Sequence, residues 1–189
     1  MPVVLDLLWK DHANMRLVLR ALERQLTAFR AGEDIDFDII QATLDYCRDF
    51  PSRVHHPKED LLLAKLRERD PDAAAKVGSL EEEHREILSQ TNEFADLVDK
   101  VMMEIEVPRD TLGNVWQGFL DNYKRHMAME ERALFVEAKS RLTPEDWIEV
   151  GEALNDIADP MFGAEVAERF RALKTDIEQA AQAETAAEG

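Results

Sequence analysis

Apolar residues recur at alternating steps of three and four along four long stretches of the chain, the spacing of helices that each bury one stripe. The first stretch predicts a helix over residues 3–30, with Leu5, Leu8, Met15, Leu19, Leu22, Leu26 and Phe29 on its seam. A second helix is expected over 37–67, with Asp34 or Asp36 as cap and Ile40, Leu44 and Cys47 on its first half. Pro51 and Pro57 interrupt it, and each should remove a backbone hydrogen bond and bend the rod. A third helix is expected after Asp70-Pro71, a cap followed by a first-turn proline, with Ala73, Val77, Leu80, Ile87, Phe94, Val98 and Val101 on its seam. A fourth starts after Pro108 and presents Leu112, Trp116, Phe119, Tyr123 and Ala133. The connections are short, so neighbouring helices should run antiparallel.

Beyond Leu142 the pattern changes. Thr143-Pro144-Glu145-Asp146 is a strong helix start, with Thr143 as cap and Asp146 closing a capping box. A helix to about residue 158 should come next, broken by Asp159-Pro160, and another over about 164–179. Residues 1–142 therefore read as the bundle, 143–180 as a helical extension and 181–189, an Ala/Glu/Gln tail, as disordered. Trp147, Ile148, Leu154, Phe162, Phe170 and Leu173 could pack the extension on the bundle or on a second copy in a homodimer.

Histidines and glutamates occupy seam positions where apolar residues are expected. His12 stands in the first seam and His84 in the third, and His55/Glu59 and His126/Glu130 form two His-x-x-x-Glu pairs. Residues four apart share a helix face, so each pair aims an imidazole and a carboxylate at one point. Counted from the helix ends, all six lie roughly 13–21 Å from the same end of an antiparallel bundle. Two carboxylates and four imidazoles buried at one level are costly without a cation. Nitrogen and oxygen donors without thiolate suit Fe, Mn or Zn. Two carboxylates from opposed helices could bridge two metals, leaving each ion an open position. His56 points about 100° from His55 in a regular helix and is expected at the surface or behind the ligands. Glu81 reads as part of a solvated run, Glu131 as surface, and Tyr123 as either a donor to the site or a core aromatic.

At 189 residues the chain is one domain, or a small one with an appendage. Its net charge of −17 should repel nucleic acid and anionic membranes. The single Cys47 cannot form an internal disulfide, which agrees with a reducing compartment. The start MPVVLDLLWK has no basic region ahead of its apolar run, and Asp6 interrupts that run. No stretch approaches the roughly 20 apolar residues of a membrane span. A cytoplasmic protein with neither nucleic-acid nor membrane partner is expected.

These residues resemble the hemerythrin-like, or HHE cation-binding, family. The resemblance rests on Lys10-Asp11-His12, on His55-His56-Pro57-Lys58-Glu59-Asp60-Leu61-Leu62, on Glu83-His84, and on the run from His126 to Phe135. It covers about residues 3–140, and the helices around Asp159-Pro160-Met161-Phe162-Gly163 resemble those of many bacterial members. It implies an all-α, up-down-up-down four-helix bundle with additional C-terminal helices, holding a non-haem di-iron centre bridged by oxo or hydroxo. It carries over His12, His55, Glu59, His84, His126 and Glu130 as ligands, with Glu59 and Glu130 bridging. Oxygen-carrying hemerythrins have a second histidine one turn from the third-helix ligand. Here those neighbours of His84 are Leu80 and Leu88, so one iron would be completed by solvent, His56 or Glu81. That argues against simple oxygen carriage and leaves room for sensing or turnover of oxygen, nitric oxide or peroxide, or for iron handling.

The expected function is therefore a metal-binding protein whose two irons meet dioxygen or a related small diatomic or peroxide ligand, with Leu8, Leu80, Leu88 and Phe119 as an apolar shell. A di-iron peroxidase, nitric oxide reductase or iron-centre repair enzyme is the rival, though no motif supplies an electron source. A metal-free helical interaction module is the third reading.

Overall fold

The computed structural model describes residues 2–154 and 157–187. Helix α1 (Val3–Ala31) ends at Gly32, whose left-handed φ of 76° lets its N–H return to the carbonyls of Ala28 and Phe29. Asp36, one of the two expected caps, accepts from the backbone of Asp38 and Ile39 and starts α2 (Phe37–Phe50). A single π turn, Pro51–His55, joins α2 to α3 (His56–Arg69). The N–H of His56 donates to the carbonyl of Pro51, five residues back. Pro57 has no N–H to continue the regular ladder, so the helix widens here where a simple bend is expected.

The expected third helix is divided. Asp70 caps the short α4 (Pro71–Ala75), and the chain then turns through Gly78, at φ 85°, before α5 (Leu80–Met102). Only a residue free of a Cβ takes that conformation without strain, and this ends the rod. Ala73 and Val77 are buried all the same. The fourth rod is also two pieces, α6 (Arg109–Arg132) and α7 (Leu134–Arg141), with a break at Ala133.

Helices α1, α2, α5 and α6 form a closed ring of neighbours, α1 on α2, α2 on α5, α5 on α6 and α6 on α1, as an up-down-up-down bundle requires. The apolar interior falls into two bodies. One surrounds Met15, Leu22, Ile40, Phe94, Trp116 and Phe119, and the other surrounds Leu5, Leu8, Leu62, Leu66, Leu80 and Leu134. Between them lies a layer of buried histidine and glutamate.

The C-terminal segment packs on this bundle. Helix α8 (Pro144–Ala153) lies against α1 and α3, held at its start by the expected capping box of Thr143 and Asp146. It ends earlier than expected, at Ala153. Asp159 organises the turn after it: its Oδ1 accepts from the backbone of Met161 and Phe162, and its Oδ2 accepts from the Tyr46 hydroxyl at 2.9 Å. These local bonds replace helix there, so a short 3-10 turn at Glu168–Phe170 and α9 (Arg171–Ala187) begin later than the expected 164. Helix α9 packs on α1 and α2, burying Phe170, Leu173 and Ile177 beside Met161. It continues to Ala187, so 181–187 is helical where disorder is expected; its alanines and glutamates are strong helix formers. Among the described residues no helix is long and apolar enough to cross a membrane.

Candidate metal centre

Each donor reaches the polar layer by helical spacing. His12 sits between Leu8 and Met15 on the buried stripe of α1. His55 closes the π turn, and Glu59, four residues on, lies in the first turn of α3. His84 lies near the start of α5, and His126 and Glu130 share a face near the end of α6. All six expected ligands come together.

They form two sets. His12, His55, Glu59 and Glu130 gather in one, and His56, His84 and His126 in the other, each set with its donor atoms within 4.8 Å of one another. The two carboxylates also reach toward the second set. Oε1 of Glu59 lies 3.6 Å from His12 Nε2 and 3.3 Å from His55 Nε2, while its Oε2 lies 3.4 Å from His84 Nε2. Oε2 of Glu130 lies 3.3 Å from His12 Nε2, while its Oε1 lies 3.2 Å from His84 Nε2 and 2.8 Å from His126 Nε2. Each glutamate thus turns one oxygen toward each set, the disposition of a bridging ligand.

His56 overturns its expected place. It is buried, stacked on His84 with ring centroids 3.7 Å apart and planes 6° from parallel. A π turn has more residues per turn than an α-helix, so consecutive side chains diverge less. His55 and His56 both enter the core, one into each set. The imidazole that α5 lacks at Leu80 and Leu88 is supplied by the neighbouring rod.

Behind the imidazoles stands a ring of carboxylates. Asp11 on α1 faces His55 Nδ1 at 3.3 Å, Asp60 on α3 faces His84 Nδ1 at 3.6 Å, Glu83 on α5 faces His126 Nδ1 at 3.1 Å, and Glu131 on α6 faces His12 Nδ1 at 2.8 Å. Each element orients a histidine of the next, and the circuit closes. Such partners fix the ring tautomer with Nε2 inward and raise its basicity toward a metal. Lys58 donates to Asp11 at 2.7 Å, and Arg16 pairs with Glu131, so two of these carboxylates are themselves anchored. Glu131, expected at the surface, is thereby part of the site.

The electrostatics match a cation cage. Burial opposes ionisation of Glu59, but the charge of His55 and the nearby imidazoles of His12, His55 and His84 outweigh it and hold the carboxyl well below its usual range. Burial and the nearby Glu59 raise the pKa of Glu130, yet His12, His126 and His84 bring it down overall. Burial likewise opposes a charge on His12, while Glu130, Glu131 and Glu59 push it up to about 11. His84 rises to about 9 against its own burial, through Glu130 and Glu59, and His55 rises against its burial through Glu59 and Asp11. His56 goes the other way: burial and then the charges on His84 and His55 hold it neutral, with a lone pair free. Three buried oxygens, both of Glu59 and Oε2 of Glu130, and Nε2 of His126 have no hydrogen-bond partner among the described residues. Ionised groups in that state are expensive, and a cation among them removes the cost. The donor set fits a pair of first-row ions with two shared carboxylates.

The remaining candidates fall outside the centre. Glu81 is exposed on the rim of α5, 3.8 Å from Arg67. Tyr123 is buried, but its hydroxyl donates to Met15 Sδ at 3.7 Å and touches no ligand. Burial pushes the Cys47 thiol up to about 12, an inert core group. Leu8, Leu80 and Phe119 are buried in the two apolar bodies flanking the layer, and Leu88 is half-buried. Phe135, not singled out from the sequence, stacks on His12 with centroids 5.2 Å apart, brought there by the break at Ala133.

No curated protein and no solved structure matches the chain. A family model does: that of the hemerythrin HHE cation binding domain matches residues 3–138. The matched span contains all seven donors, the four carboxylates behind them and the π turn that brings in His56. The chain belongs to the hemerythrin HHE cation-binding family, and the buried histidine–glutamate clusters between its helices could hold a metal.

Proposed function

We propose that the chain holds two iron ions, one per donor set, and that the pair binds dioxygen or a related small species such as nitric oxide or peroxide. The observation that carries the reading is the pair of glutamates, each turning one oxygen toward each set of imidazoles. The donor counts differ. One set offers two imidazoles and two carboxylate oxygens, the other three imidazoles and the remaining two oxygens. The poorer set, around His12 and His55, leaves more room for an exogenous ligand, and Phe135 and Leu8 limit water beside it. When bound, a redox-active ion pair supplies open positions and one-electron chemistry to such a ligand. The residues' own work is to hold the ions apart and paired, to fix the imidazoles through Asp11, Asp60, Glu83 and Glu131, and to keep bulk water out. Manganese or zinc satisfies the same donors. A metal-free interaction module would leave the Glu59 oxygens orphaned in the core, which speaks against it.

The test is metal analysis of protein purified without oxygen, with an absorption spectrum before and after oxygen is admitted. Two irons per chain and a new near-ultraviolet band on oxygenation are expected. Zinc alone, or one ion per chain, overturns the reading. Sustained consumption of peroxide or nitric oxide by the iron form would move it to the enzyme class.

A further inference from the structure

His12, His55, Glu59 and Glu130 are sealed from solvent, but one side of the centre is not. A cleft of about 310 Å³ opens between α3 and α5 and is lined by His56 and His84 themselves. These two are the most exposed donors, at 7% and 8%, while His12, Glu59 and Glu130 are at 0%. Above them on the cleft wall stand Asp60, with 47% of its side chain exposed, and Glu81, with 54%. From solvent inward the order is Glu81, Asp60, His84 with His56, then Glu59 and Glu130. Asp60 lies 3.6 Å from one nitrogen of His84, and the other nitrogen of His84 lies 3.4 and 3.2 Å from Glu59 and Glu130. The successive groups all carry oxygen or nitrogen donors, at increasing burial. His56 is more than nine-tenths buried, and its ring lines the cleft floor.

We infer that the α3–α5 cleft is the passage by which divalent cations load the centre, with Glu81 and Asp60 as outer holding points and His56 as the group that receives the ion. The inference rests on the metal-pair reading above and adds the route. A hydrated divalent ion sheds water reluctantly, and a graded series of donors lets it exchange one water at a time for a protein ligand. Two arginines stand near the mouth and set its net charge: Arg67 lies 3.8 Å from Glu81, and Arg85 lies 4.0 Å from Glu82. Against them stand Asp60 and Glu81 on the wall and Glu82 beside Arg85, so the mouth keeps a small negative balance within a chain of net charge −17.

The test follows cobalt(II) uptake by the full-length metal-free chain, by stopped-flow absorbance at 0.01 M and 1 M salt, with the final metal content measured separately. Glu81→Lys should slow uptake about threefold at low salt and not at 1 M, as expected for two charge units near the path of a divalent ion. Ser52→Trp, an exposed position on the cleft wall, should slow both uptake and removal by chelator at either salt. Glu184→Lys, an equal charge change on exposed α9, should leave the rate as in the wild type. All three should fill to the wild-type stoichiometry. If Glu81→Lys and Ser52→Trp fill normally and at the wild-type rate, the passage lies elsewhere while the metal pair stands. If the wild-type chain takes up no metal, both the centre and its route are overturned.

Discussion

Asp11 lies one residue before the ligand His12, yet its carboxylate serves a different histidine: its Oδ2 is 3.3 Å from Nδ1 of His55, across the interface from α1 to the π turn. The same oxygen takes a 2.7 Å hydrogen bond from Lys58. Burial opposes the charge on Asp11, but His55 and Lys58 pull its pKa below the ordinary value. Replacing Asp11 by Asn keeps the shape and removes the charge that fixes the ring. A loss of about 10–100-fold in metal affinity is expected, read by competition with a chelator, with two ions still bound at saturation. Unchanged affinity would show that His55 is held by packing alone.

His56 is the donor no helical-wheel argument finds, and its removal separates the two sets. His56→Leu keeps a buried side chain of similar bulk while deleting one nitrogen from the His84/His126 set. One of the two ions should be lost or weakened by more than the roughly 10–100-fold of an outer partner. The His12/His55 ion should remain. Two ions held with wild-type affinity in this variant would remove His56 from the coordination sphere.

The metal-free centre should titrate on the alkaline side. His12 and His84 ordinarily titrate near pH 6.5 but are raised to about 11 and about 9. Groups raised in this way lend stability that is complete below about pH 6.5 and is lost as pH climbs through the folded values. The metal-free chain should therefore melt at lower temperature at pH 9.5 than at pH 6.5. Metal replaces those protons, so affinity should rise over the same interval and protons should be released on loading. Thermal melts and chelator competition at the two pH values check both signs; an affinity flat with pH contradicts the protonated cage.

The C-terminal extension should be separable from the chemistry. Thr143 accepts from the Asp146 backbone, and Asp146 returns the bond to Thr143 while taking two hydrogen bonds from Arg69, at 2.9 and 2.8 Å. Thr143→Ala should cost about 1 kcal/mol in urea unfolding. Asp146→Ala should cost more, since it also frees Arg69. Neither should change metal stoichiometry, because α8 contributes no donor.

The legible part of this molecule is the part governed by helix periodicity. His12, His84 and the two His-x-x-x-Glu pairs stand at seam positions, so their burial and common depth arise from spacing. The carboxylate ring is written beside the ligands, as Asp11, Asp60, Glu83 and Glu131, but each works on the neighbouring element. That assignment exists only once the helices are placed, which is why Glu131 reads as surface. His56 depends on a change of winding, whose trace in the sequence is the pair Pro51 and Pro57 flanking it, and the family resemblance names it only beside solvent and Glu81 as a way to complete one iron. The break before α5 has a sign in Gly78, but the continuous apolar stripe through Ala73 and Val77 outweighs it. The end of α9 shows the reverse: a tail without an apolar stripe is helical by intrinsic propensity.

The split interior sets how this bundle holds together. Leu8 and Met15 lie one turn to either side of His12 on a single helix, yet they belong to different apolar bodies. Across that seam the two halves are joined by charge instead of oil. If the proposed ions occupy that layer they tie the two halves together, and without them the halves, each of a size that folds only marginally by itself, are held by the continuous helices and the buried ion pairs alone. A metal bound there would act as a rivet through the middle of the bundle, and its loss would be felt on both sides of the layer.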